Sequence, residues 1–156
     1  MSTVHLLHPF YYSDGALAIA ASSATLSAIS SSVVLVTIWR SQVKLSSVYN
    51  RIIFGLSACD LIGSVSIAFT TLLMPPDTIY PFTRTYGTVS TCEAQGFLII
   101  FGSGSCLLYS SGLSLFHLCL INFKIDDKII RRILEPIIHA VSLSIPIGFG
   151  VSGPYS

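Results

Sequence analysis

The chain has 156 residues, 52% of them hydrophobic and 10% charged, whereas soluble domains carry about 25% charged residues. With a mean hydropathy of +0.77, that apolar excess excludes an ordinary water-soluble core. Eight basic and seven acidic residues leave a net charge of +1, so no bulk field points to nucleic acid and the position of each charge carries the information.

Residues 1–14 form a short tail without Lys or Arg, and its His5 and His8 have no metal-ligand spacing. Crossing a bilayer core about 30 Å thick takes about 20 helical residues. Four windows meet that length: Gly15 to Ile38, Ile52 to Met74, Phe97 to Ile121, and Ile133 to Val151. The expected fold is therefore all-α, an integral membrane helical bundle of four transmembrane helices over residues 15–151, with 152–156 as an outer end.

In the first window no residue is ionisable, and Ala20, Ala24, Ser27 and Ser31 recur at three- and four-residue spacing opposite Ile19, Leu26, Ile29, Val33 and Val36. Small residues permit close backbone approach, so the first set is expected to meet the bundle and the second to meet lipid. Trp39 reads as an interfacial anchor. A cleaved signal peptide is the competing reading, disfavoured because no basic region precedes the apolar run, which continues to Trp39 and Arg40.

The second window places Ser57, Asp60, Ser64 and Thr71 along one face. An acid at mid-span must find partners, take up a proton or touch water, so Asp60, Ser57 and Ser64 are expected to form an intramembrane polar network. The third window carries Ser103, Cys106, Ser110, Ser114 and His117 as an unusually polar stripe expected to face inward, with Phe101, Leu108 and Leu115 facing out. Helix packing with hydroxyls bonded back to their own helix is the plain reading of these stripes; a ligand or ion path is the sharper one. His117 reads as an interhelical histidine rather than a pH switch.

Between the third and fourth windows, Asp126 and Asp127 are placed to cap a short helix whose apolar side is Ile129, Ile130, Ile133 and Leu134, beside Lys128, Arg131 and Arg132. Such a helix suits either a lipid surface or a cytoplasmic partner. The fourth window contains Pro146, tolerated in a membrane helix when neighbours satisfy the freed carbonyl. Glu135 and His139, four residues apart at its start, are spaced to pair with each other.

Arg40, Lys44 and Arg51 occupy the first connection, Arg84 alone the second, and Lys124, Lys128, Arg131 and Arg132 the third. Basic residues resist translocation, so the first and third connections are expected in the cytoplasm and the N-terminus outside, at the plasma membrane. Cys59, Cys106 and Cys119 fall within spans and read as small buried hydrophobes, Cys119 also as a site for lipid attachment. Cys92 alone lies on the outer side, where a free thiol, an intermolecular bridge or a partner elsewhere are the alternatives.

The run from Tyr49 through Asn50, Arg51, Gly55, Leu56, Ser57, Ala58, Cys59, Asp60 and Leu61 resembles the second helix of seven-helix G-protein-coupled receptors, whose Leu-Ser/Ala-x-x-Asp-Leu motif carries an inward acid at the place of Asp60. The segment Thr91-Cys92-Glu93-Ala94-Gln95-Gly96-Phe97 is similar to the start of their third helix. The resemblance extends over all four spans in order and spacing, closest to the cyclic-AMP-receptor-like and orphan receptors of protists. It implies a receptor that transduces an outside ligand's binding to a heterotrimeric G protein, with this chain supplying helices one to four of seven. It further implies a disulfide from Cys92 to a partner beyond Ser156, a ligand pocket near Thr71, Ile99 and Ser103, and a partner surface at Lys128, Arg131 and Arg132. The first span lacks the family's Asn, the fourth lacks its Trp, and the third ends in Leu120-Ile121-Asn122-Phe123-Lys124 without an acid-Arg-aromatic motif.

A free-standing four-helix structural or scaffold protein is the alternative, its small-residue faces serving lateral assembly. A transporter would need internal symmetry or broken helices that are not evident. No catalytic residues, metal site or cofactor are expected. Zinc-ligand spacings and phosphate-cradling glycine loops are lacking, Gly102-Ser103-Gly104-Ser105 lies inside a span and reads as packing, and one buried acid is insufficient for a two-carboxylate mechanism.

Overall fold

The computed structural model describes residues 14–41, 45–70 and 86–152. Helix α1 runs Asp14–Arg40, α2 Val48–Ala68 and α3 Val89–Ile121. A single turn, α4 (Asp127–Ile129), passes through a π-helical turn, Ile130–Leu134, into α5 (Glu135–Ser152). Among the described residues four helices have the length and apolarity to cross a membrane, the fourth being the continuous stretch Ile130–Val151. No strand occurs among the described residues, as lipid requires of any span that must satisfy its own backbone hydrogen bonds.

The helix ends reflect local chemistry. Thr88 and Thr91 form a reciprocal capping box, Thr88 Oγ1 accepting from the Thr91 amide at 3.3 Å and Thr91 Oγ1 from the Thr88 amide at 2.7 Å. Two of the amides left over at a helix start are thereby satisfied, and α3 begins two turns before the apolar window that starts at Phe97. It ends at Asn122, after which Lys124 adopts a left-handed φ of 50° and the Ile125 amide reaches back to the Cys119 carbonyl at 3.2 Å. Asp126 then starts the next helix, its carboxylate accepting from the Lys128 amide at 3.3 Å.

The expected short helix and the fourth span are thus one continuous element. The π turn, closed by the Glu135 amide on the Ile130 carbonyl, adds a residue to the turn and rotates α5 relative to α4. This splits the apolar side anticipated for the short helix: Ile130 is buried and Leu134 partly so, while Ile129 and Ile133 are exposed.

Helix α2 packs against α1 on one side and α3 on the other, and α5 closes against α3. The faces of α1 divide largely as expected: Ala24 and Ser31 are buried and Ser27 partly so, whereas Ile19, Leu26, Ile29, Val33 and Val36 are exposed. Ala20, expected inward, is exposed because it lies toward the end of the helix beyond the Asp60 contact. The stripe assigned to α3 is corrected. Its buried residues are Gln95, Gly102, Ser105, Tyr109 and Phe116, while Ser103, Ser110, Ser114 and His117 are exposed; Phe101, expected outside, packs against the core, whereas Cys106 packs inward and Leu115 is exposed as expected. Size rather than polarity decides this rotation, because α2 approaches where α3 presents glycine.

A Cβ built on Gly102 would stand 2.5 Å from Gly63 Cα and 2.6 Å from Gly63 N. The two backbones touch there with no room for a side chain, the mode of helix association available when lipid supplies no hydrophobic drive. Large residues fill other notches. The Tyr109 ring occupies the space a Cβ on Gly55 would take, at 2.8 Å, and Ile138 does the same at Gly112, at 2.7 Å. Gly104 similarly leaves room for Pro146 at 3.2 Å, so the Gly-Ser-Gly-Ser run serves packing.

Gly102→Val is expected to destabilise the bundle by at least the roughly 1–3 kcal/mol typical of overpacking, read as a lowered unfolding temperature in detergent. Gly96→Ala, where an added Cβ meets nothing within 4 Å, should leave that temperature unchanged or raise it.

Candidate functional site

In lipid a hydroxyl group is most cheaply satisfied by its own helix. Ser22, Ser23, Thr25, Ser30, Ser32 and Thr37 of α1 all donate to carbonyls three or four residues back. Ser27 and Ser31 do not. Both cross to α2 and donate to Oδ2 of Asp60, Ser27 at 2.8 Å. The small-residue face of α1 therefore brings two donors onto the mid-span acid, which is only partly buried.

Beside Asp60 lies a cleft of about 340 Å³ between α2 and α3. Asp60, Gly63, Ser64, Gly102, Ser103 and Ser110 line it, so the glycine contact forms its floor and hydroxyls its rim. Of the residues expected around Asp60, Ser64 shares this cleft, while Ser57 is buried on the same helix one turn toward the α2 N-terminus. Ser103 also belongs to it. Ile99, one turn away on α3, is partly buried and not among the lining residues, and Thr71 lies outside the described residues. With one carboxylate, three hydroxyls and an open side, the cleft can accept water or a polar group from a neighbouring helix.

A second polar cluster joins three helices at the opposite level, where α2 and α5 begin. Arg51 Nη2 donates to Glu135 Oε2 at 2.7 Å, and Nε stands 2.5 Å from Oε1 without the alignment of a hydrogen bond. The expected Glu135 and His139 pairing is the lesser contact: Nε2 is 4.0 Å from Oε1. His139 instead shares a 2.8 Å hydrogen bond between Nδ1 and the Tyr109 hydroxyl, with the rings edge to face. The chain Arg51, Glu135, His139, Tyr109 thus ties α2, α5 and α3 together.

Arg51 and Glu135 each had the relevant signal, being opposite charges at the start of a span on the same side of the membrane. Reading Arg51 only as a loop cation missed it. Gln95 was missed as well; buried near the other end, it donates from Nε2 to the Ser66 carbonyl at 2.7 Å and joins α3 to α2.

The described basic residues gather at the Arg51 end of the bundle. Arg131 Nη2 donates to the Ser46 carbonyl at 3.1 Å, and Lys128, Arg131 and Arg132 are exposed. His117 meets the Tyr49 ring edge to face with centroids 5.8 Å apart, an interhelical contact as expected. All four cysteines are free, Cys92 partly exposed near the start of α3, and Cys106 donates its thiol to the Leu56 carbonyl at 3.7 Å.

No protein-family model matches the chain, nor does any curated protein or solved structure. What the fold defines is a class: a multi-pass helical protein whose exposed apolar faces fit a lipid bilayer.

Both clusters can be probed by substitution. Asp60→Asn, which keeps a carbonyl acceptor for Ser27 and Ser31, should cost less than Asp60→Leu, which removes both interhelical bonds; at about 0.6 kcal/mol per such bond in membrane proteins, the two variants should differ by about 1 kcal/mol in unfolding measurements in detergent. Arg51→Met or Glu135→Leu alone strands a charge and should cost about 3–5 kcal/mol, whereas the double variant should recover most of that loss. A double variant that loses the sum of the two single losses would show that the pair contributes no coupling.

Proposed function

We propose that the chain is part of a seven-helix G-protein-coupled-receptor-like signal transducer, in which these four helices pack against further helices of the same bundle. The observation that carries this reading is the cleft at Asp60. An acid, serine hydroxyls and a glycine floor, flanked by Ile67, Cys106 and Leu107, open onto the exposed Ser103, Leu107 and Ser110 face of α3, where small and hydroxyl-bearing residues suit the close approach of another helix. The inward acid of the second helix belongs to the same resemblance.

On this reading the N-terminus and Cys92 lie outside, Cys92 bridges to a later outer loop, and an extracellular ligand acts near Thr71, Ile99 and Ser103. Lys128, Arg131 and Arg132 face the cytoplasm, where a heterotrimeric G protein would dock. The Arg51–Glu135 pair, joining the starts of α2 and α5, is placed to hold those elements in one arrangement until ligand binding repacks the bundle. The exposed face of α3 also favours a second reading, a four-helix scaffold that assembles laterally through that face.

Sequencing the transcript past the codon for Ser156 separates the two. Three further apolar spans with an outer Cys between the fourth and fifth are expected, and the 156-residue chain expressed alone should not activate a G protein. A stop codon at that point, with Ser103→Cys chains crosslinking to one another in membranes, would replace the receptor by the scaffold. Labelling that puts Arg40 and Arg131 on opposite sides would overturn the orientation under either reading.

A further inference from the structure

At the Arg51 end of the bundle a second cleft, of about 400 Å³, is lined by Arg51, Arg131, Glu135, Pro136 and His139. Its charges are not equivalent. Glu135 is largely buried and engaged by Arg51, so the carboxylate is neutralised at the back of the cleft. Arg131 is exposed at its mouth, and its bond to the Ser46 carbonyl occupies one of five guanidinium N–H donors. His139 adds a ring nitrogen, its side chain 31% exposed. The cleft therefore presents an exposed guanidinium and a partly exposed imidazole.

Its location narrows the anion. The cleft lies where α5 enters the apolar span, and exposed Leu143 and Ile147 come after Pro136 at seven- and eleven-residue spacing along one helical face. A phosphate in the cleft would have an apolar track leading from it into the bilayer. Soluble phosphate has no use for that track, whereas a phospholipid fills both parts, and basic pockets between helices at the cytoplasmic boundary suit anionic headgroups.

We propose that this cleft binds the phosphate headgroup of an anionic membrane lipid, with Arg131 as the principal contact, His139 as a second donor, and an acyl chain lying along Leu143 and Ile147. Occupancy bridges Arg131, next to the Ser46 carbonyl before α2, to the start of α5. The lipid thereby adds a tie between the same two elements that the Arg51–Glu135 pair joins. The site does not depend on the receptor reading, since a four-helix scaffold would carry it equally.

The test is native mass spectrometry of the purified chain in detergent with phosphatidylinositol 4-phosphate or phosphatidylcholine at equal concentration. The wild type should retain one phosphoinositide in preference to phosphatidylcholine. Arg131→Gln should lower that retention about fivefold, the effect of one basic residue at an anionic surface, while Arg132→Gln, outside the cleft, should leave it unchanged. Equal retention of the two lipids, or equal loss in both variants, would overturn the proposal. So would displacement of the lipid by inositol bisphosphate, the headgroup without tails, as readily as by the lipid itself. Should Arg131→Gln fail to fold, hydrogen exchange of the wild type decides: the phosphoinositide should protect residues 45–51 and 131–139, and a lack of protection there would end the idea.

Discussion

The contact of Gly63 with Gly102 is the constraint on which the rest of the bundle depends. Lipid tails are as apolar as leucine, so helices in a bilayer gain little by burying apolar side chains against one another. They gain by close backbone approach, and α2 and α3 come within touching distance at these two glycines. That approach fixes the rotation of α3. With Gly102 inward, Ser105, Tyr109 and Phe116 turn inward along the same face, and Ser103 and Ser110 turn out.

The cleft beside Asp60 and the Tyr109 link to α5 both follow from that rotation. On one side of the contact, Asp60 takes donors from Ser27 and Ser31 on α1 and faces the cleft that the glycines floor. On the other, Tyr109 reaches across Gly55 to His139, which stands beside the Glu135 held by Arg51. A bundle with α3 turned by the roughly 100° that separates neighbouring helical residues would bury the serines and break the Tyr109 link to α5. The polar groups are therefore arranged by packing and also reinforce it, since a stranded acid or guanidinium at these depths is costly.

The two clusters differ in their surroundings. Asp60 opens onto the exposed Ser103, Leu107 and Ser110 surface of α3, which the proposed receptor covers with further helices and the proposed scaffold covers with another chain. The Arg51 cluster opens toward the basic end, where its cleft combines one charge pair already satisfied with one arginine still exposed. An internal salt bridge and a lipid-facing guanidinium one turn apart make this the place where bilayer composition and helix arrangement can be coupled.

Four spans, their order, and the lipid-facing side of α1 were legible in the sequence, because length, apolarity and the spacing of small residues are local properties that the bilayer reads directly. Asp60 stood out for the same reason, as a lone acid in an apolar run. The facing of α3 was not legible: polarity pointed to the serine stripe, but hydroxyls can satisfy themselves on their own helix, so the sequence pattern left glycine packing as the deciding term. The π turn before Glu135 was equally hidden, and with it the merging of the short basic helix into the last span. Only tertiary structure could choose Ser27 and Ser31 for Asp60 and Arg51 for Glu135, because such pairings join residues far apart in the chain and depend on the depth and rotation at which whole helices meet.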